Sequence, residues 1–121
     1  MANTNTTLIA QLTNTTGGVT VSGAANLPLN QNNAVNFTNA QSIATSSTAI
    51  TVGGVSSAGY IWIKNTDATN YVEINSITAV AGGCPIHLGP GEACVLPTRL
   101  TTWYGIANTA AVVIDVVLVS I

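Results

Sequence analysis

This chain has very little charge. Of its 121 residues, two are Lys or Arg and four are Asp or Glu. That is 5% of the chain, where an ordinary soluble domain carries roughly 25%. Two cations, Lys64 and Arg99, cannot build a phosphate-binding surface, which argues against nucleic acid as a partner. One histidine and four carboxylates leave few groups to tune for acid–base or nucleophilic chemistry. No Gly-x-Ser-x-Gly elbow, P-loop, dinucleotide fingerprint or EF-hand loop is present, and the Gly-rich TTGGVTVSG and VGGVSSAG precede no helix signal. The expectation is a protein that is not an enzyme and holds no cofactor. Long hydrophobic runs are also missing. AAVVIDVVLVSI at 110–121 is too short to span a bilayer as a helix and has Asp115 at its centre, so no membrane partner is expected. MANTNTTLIAQLTNTT has neither the basic start nor the apolar core of a secretory signal. The sequons at Asn5, Asn14 and Asn36 therefore read as accidents of composition, and Cys84 and Cys94 as reduced thiols.

What is present is apolar and uncharged-polar. The hydrophobic fraction of 47% is enough for a folded core. Thr, Asn and Ser fill the polar positions, giving a wettable surface with little electrostatic repulsion, and such a surface favours self-association. Short alternating runs with β-branched residues read as strands: TLIAQLT at 7–13, VTVS at 19–22, AVNFT at 34–38 with Val35 and Phe37 on one side, and AITV at 49–52. TTGG, NLPLNQNN and GGVSSAG between them carry turn chemistry. The pattern predicts an all-β fold, an antiparallel, jelly-roll-like β-sandwich of about seven to nine strands with little or no helix. It is read as a single domain over 1–121. Residues 1–57 form a Thr/Asn-rich, more adaptable half with a mobile N-terminal arm. Residues 58–121 form a better patterned half that contains both Trp, all three Tyr, both Cys and all six charges.

The second half supports a closer reading. GYIWIK and NYVEIN are expected to pair as a hairpin across NTDATN. Parity then puts Ile61, Ile63, Val72 and Ile74 on the core face, and Tyr60, Trp62, Lys64, Tyr71 and Glu73 on the other, with a diagonal Lys64–Glu73 pair. Asp67 and the Asn residues suit hydrogen bonding in the turn. GPGE links a strand near 86–88 to one near 92–96, and Pro97 ends the second. TTWYGIAN and AAVVIDVVLVSI supply two more strands. In the last, Val112, Ile114, Val116 and Leu118 form one face and Val113, Asp115, Val117 and Val119 the other. Both are apolar, so the second face is either buried or packed on another subunit. The candidate interface is therefore Tyr60, Trp62, Tyr71, Trp103, Tyr104, Val113, Val117 and Val119.

Cys84, His87 and Cys94, with Glu92 as a fourth donor, have three-donor spacing, but strand parity turns 84 and 87 to opposite faces. The reading is a small buried Cys and an ordinary surface His, with no metal. A turn centred on Pro90 would pair 84 with 96 and 86 with 94, out of register for a disulfide.

YIWIKNTDATNYVEI, LGPGE and YGIANTAAVVIDVVLV together resemble a group of small β-rich proteins from the structural gene cassettes of tailed bacteriophages. The shared pattern falls on Asn65, Asp67, Thr69, Asn70, Tyr71, Val72 and Glu73; on Leu88, Pro90, Gly91 and Glu92; and on Ala107, Asn108 and Thr109. It covers about the C-terminal half. The Cys pair and the extreme charge poverty depart from the group. The resemblance implies a virion component, a capsid decoration or cement protein on the outer capsid surface, assembled in the host cytoplasm. Its implied partners are copies of itself, as a trimer, and the major capsid protein. A second expectation is a tail- or fibre-associated glycan- or receptor-binding module, with Trp62, Tyr71, Trp103 and Tyr104 stacking on sugar rings.

Overall fold

The computed structural model describes residues 3–16, 19–31, 36–55 and 58–120. Every regular element among them is a strand: β1 (Asn3–Thr16), β2 (Val19–Gln31), β3 (Asn36–Ile43), β4 (Thr48–Ile50), β5 (Ala58–Asn65), β6 (Val72–Asn75), β7 (Ile86–Leu88), β8 (Ala93–Pro97), β9 (Trp103–Ala107) and β10 (Val112–Ser120). These ten exceed the seven to nine expected. No helix among them is long and apolar enough to cross a membrane. The chain divides into two compact units, Met1–Ala34 and Val35–Ser120. The compositional break at 57/58 is therefore not the structural one.

The first unit is an antiparallel two-stranded ribbon of β1 and β2. Most of NLPLNQNN, expected as a turn, is strand in β2, with Pro28 opposite Thr7. Pro is tolerated there because β2 is an edge strand, with no ladder partner on its far side among the described residues. Val35 and the side chain of Phe37, predicted to share a face, lie outside the described residues.

The second unit is a β-sandwich of two four-stranded antiparallel sheets, ordered β3-β10-β5-β8 and β4-β9-β6-β7. The pairings are nested: β3 with β10, β4 with β9, β5 with β8 and β6 with β7. Contacts of β10 with β5 and of β6 with β9 complete each sheet. Period-two alternation puts Ile61, Ile63, Ile114, Val116 and Leu118 of one sheet against Val72, Ile74, Leu88 and Trp103 of the other in one core. The parity predicted for β5, β6 and β10 holds: Ile61, Ile63, Val72, Ile74, Val112, Ile114, Val116 and Leu118 are fully buried. Each such side chain contributes about 1.5–3 kcal/mol. Gly105 lets the sheets approach closely, since a Cβ there would stand 3.1 Å from Cγ2 of Ile43.

The expected hairpin is not formed. β5 pairs with β10 and β8, and β6 with β9 and β7, so NTDATN carries the chain from one sheet to the other. Asn65 anchors the crossing. Its side chain is fully buried, and its Nδ2 donates to the carbonyls of Asn70 (2.8 Å), Leu88 (3.0 Å) and Gly89 (3.1 Å). Its Oδ1 accepts from the Asp67 N–H at 2.8 Å. Asp67 Oδ1 accepts in turn from the N–H groups of Asn70 (2.6 Å) and Thr69 (2.8 Å) and from the Thr69 hydroxyl (3.2 Å).

The backbone N–H groups of Asn70 and then Thr69 hold the Asp67 carboxyl below its usual value of 3.8. A depressed folded-state pKa contributes stability that is fully present above the unfolded value and lost as pH falls through the folded one. The acid arm of the stability–pH profile should therefore flatten in Asp67→Asn relative to the parent protein. Urea midpoints measured from neutral pH down through the region below 3.8 test this, and parallel acid arms would refute it.

Candidate interaction surface

The backs of the two sheets differ. On the β4-β9-β6-β7 sheet, Glu73 pairs in register with Ile106 and His87, and Tyr104 with Ala49 and Asn75. Glu73 and Ile106 are nonetheless buried. Both carboxylate oxygens of Glu73 accept from the N–H of Gly82, at 3.0 and 3.1 Å. Gly82 takes a φ of 77°, a left-handed conformation that glycine adopts without strain. The Ala79 N–H donates to Ser47 Oγ at 2.9 Å. The segment after β6 thus lies against this back and supplies the hydrogen bond that a buried carboxylate requires. The expected Lys64–Glu73 pair does not form, because the two residues belong to different sheets.

The back of the β3-β10-β5-β8 sheet is open among the described residues. Its register runs in rows. Val117 and Val95 flank Trp62, and Val119 and Pro97 flank Tyr60. Asp115 and Ala93 flank Lys64, and Val113 lies opposite Ser42. Val113 is 46% exposed. Tyr60, Trp62, Val95, Val117 and Val119 are half-buried, and Pro97 and Lys64 are exposed. Lys64 and Asp115 are directly opposed, so this face carries no net charge. It combines aromatic and β-branched surface with one opposed pair of opposite charges, the composition of an interface core with a polar margin.

Comparisons with protein-family models, with curated proteins and with solved structures return no match.

Of the predicted interface residues, Tyr60, Trp62, Val113, Val117 and Val119 come together on this face. The rest do not join them. Trp103 is a core residue, 7% exposed, and its Nε1–H donates to the Leu100 carbonyl at 3.2 Å. Its parity explains the difference: Trp103 shares its face of β9 with Gly105 and Ala107, and all three are buried. Tyr104 is half-buried on the back of the other sheet, and Tyr71 stacks on His87 with ring centroids 4.4 Å apart. Arg99 is directed at backbone, its Nη1 donating to the carbonyls of Gly59 and Thr98, both at 3.2 Å.

The thiols are free and separate. Cys94 pairs in register with Ile63 and packs on the core, where burial pushes its thiol pKa up. Cys84 Sγ–H donates to the Val80 carbonyl at 3.4 Å. The pairings of 84 with 96 and 86 with 94 are absent, because β7 and β8 lie in different sheets: Ile86 pairs with Ile74. Among the described residues no cluster of three or more His, Cys, Asp or Glu could hold a metal.

Proposed function

We propose that the protein is a non-enzymatic virion structural component of the capsid decoration or cement type. It self-associates, with a trimer favoured, and binds the major capsid protein at subunit junctions on the outer shell. One observation carries the reading. The back of one sheet is partly covered by the segment after β6, with Glu73 and Ile106 buried there, while the other presents Tyr60, Trp62, Val95, Val113, Val117 and Val119 with no net charge. Apolar contact of this kind is little screened by salt, which suits a protein that must hold a shell across ionic conditions. The nested strand order supports the finer description of the sandwich as a jelly roll, an architecture found in capsid domains.

The test is co-sedimentation with shells that lack this protein. Saturable, stoichiometric binding is expected. Trp62→Lys should weaken it about 30-fold or more, the loss of a hot-spot residue worth about 2 kcal/mol. Ile77→Lys, at a 68% exposed position away from this face, should leave binding unchanged. Absence of saturable binding by the parent protein overturns the reading. The glycan-binding alternative has weaker support. Trp103 is unavailable for stacking, and the open sheet back offers only the Tyr60 and Trp62 rings.

A further inference from the structure

The β1–β2 ribbon presents a separate problem. A lone two-stranded ribbon is marginal in water, and three strands or a packed face are needed for independent stability. This one is long, with β2 spanning 13 residues, and it pairs continuously from Asn3↔Gln31 to Thr16↔Val19 apart from an irregularity between Thr4 and Thr6. Its register sorts the sequence into two rows. One row pairs Thr6 with Leu29, Leu8 with Leu27, Ala10 with Ala25, Leu12 with Gly23 and Asn14 with Val21. The other pairs Thr7 with Pro28, Ile9 with Asn26, Gln11 with Ala24 and Thr13 with Ser22. The first row is apolar along most of its length, and the second is mainly polar, with Ile9, Ala24 and Pro28 the exceptions. The side chains described in the ribbon, Thr7, Ile9, Gln11–Thr13 and Ser22–Asn26, are all exposed, with Leu12 at 77%.

We infer that the apolar row of this ribbon is the seat of self-association, covered by the same row of neighbouring copies of this chain. Three observations select that occupant. No residue from 1 to 57 is charged, so a partner with ionic groups on its contact face would lose their hydration with nothing returned. Another copy brings a face of the same length, spacing and neutrality. Among the described residues neither edge of the ribbon has a strand partner, and no Lys, Glu or inward charge blunts them, the devices by which edge strands avoid pairing with other chains. The area also fits. At about 3.3 Å per residue and about 4.8 Å per strand, one face has a footprint of about 430 Å². Two copies cover about twice that footprint, and more of the corrugated accessible surface, which reaches the roughly 1,000 Å² of a specific contact. The inference rests on the reading above only in that both hold the protein to self-associate, and it names where.

The test uses the full chain without shells, by size exclusion with light scattering. The parent protein should run as an oligomer. Leu12→Lys and Ala25→Glu, each placing a charge in the apolar row, should reduce it to the single-chain mass of 12.3 kDa. Gln11→Lys, in the other row, should leave the oligomer intact. Both Trp residues lie in the second unit, so an unchanged Trp-fluorescence melt shows that a variant still folds its sandwich. A monomeric parent, or an oligomer that persists in both row variants, overturns the inference. Shell binding is scored separately on the same proteins. An oligomer that ignores shells removes the decoration reading and leaves this inference standing. A monomeric parent that binds shells does the reverse.

Discussion

Asn65→Asp is expected to leave the protein largely unfolded at neutral pH, and Asn65→Leu to cost about 3–5 kcal/mol. The amide occupies a fully buried site with backbone carbonyls of Asn70, Leu88 and Gly89 around Nδ2 and the Asp67 N–H on Oδ1. Leucine has the same branched outline but is bulkier and not planar, so overpacking adds to the lost polar contacts. Each buried group left without a partner costs about 1–3 kcal/mol, and several are orphaned together. Aspartate keeps the shape but turns a donor into an ionised acceptor facing carbonyl oxygens, a repulsion added to the loss. A small domain has only about 5–15 kcal/mol in total. Burial among carbonyls also favours the protonated carboxyl, whose O–H can donate, so the aspartate variant should regain stability as pH falls, opposite in sign to the effect of Asp67. Urea unfolding followed by Trp fluorescence measures both. An Asn65→Leu variant within about 1 kcal/mol of the parent would show that Asn65 does not anchor the crossing.

Gly105→Val should lower stability by about 2–3 kcal/mol. A melting temperature lower by roughly 10–20 °C is the corresponding shift for a domain of this size. The glycine's φ is not the reason, since Gly105 is not among the positive-φ glycines. The reason is what surrounds it, Ile43 on the facing sheet and Ile74, its register partner on β6. An added Cβ meets Ile43 Cγ2 at 3.1 Å, Ile74 Cδ1 at 3.4 Å and Ile43 Cδ1 at 3.5 Å. Methyl ends can yield by tenths of an ångström to alanine, but the two further methyls of valine have no free volume between close-packed sheets. Ile43→Ala alone opens a cavity and costs about 2–5 kcal/mol. Together the two changes exchange bulk across the gap, so the double variant should be at least about 1 kcal/mol more stable than the sum of the singles. Strict additivity would place Gly105 away from Ile43.

The sequence made the strands legible where one face is core. The alternation in GYIWIK, VEI and VVIDVVLVS identified Ile61, Ile63, Val72, Ile74, Ile114, Val116 and Leu118 as buried, and each is. The same alternation could not say which strands pair. Ile61 and Ile63 face Val72 and Ile74 equally well as neighbours in one sheet or as opposites across a sandwich, so parity left the hairpin and the crossing indistinguishable. The turn chemistry of Asn65 and Asp67 was readable, but not that the Asn65 amide reaches Leu88 and Gly89, which depends on how distant segments meet. For the candidate surface, Tyr60, Trp62 and the odd-numbered β10 residues from Val113 to Val119 were visible because they alternate with core residues. Trp103 misled because an indole beside a tyrosine looks like an interface pair. The small inward residues Gly105 and Ala107 on its own strand were the available sign that it points inward. Glu73 lies on the predicted non-core face, but its burial there was not legible, because nothing local predicts that the Gly82 N–H returns to it.

The nested pairing also governs the timing of folding. β10 sits between β3 and β5, and Val119 lies beside Asn36. Until β10 leaves the ribosome, β3 and β5 lack their common neighbour and expose hydrophobic, charge-poor edges in a nascent chain. The sandwich cannot form stepwise from its N-terminal side. It must wait for its central strand, and over that interval the polypeptide is most open to chaperones, proteases and misassembly with its own siblings.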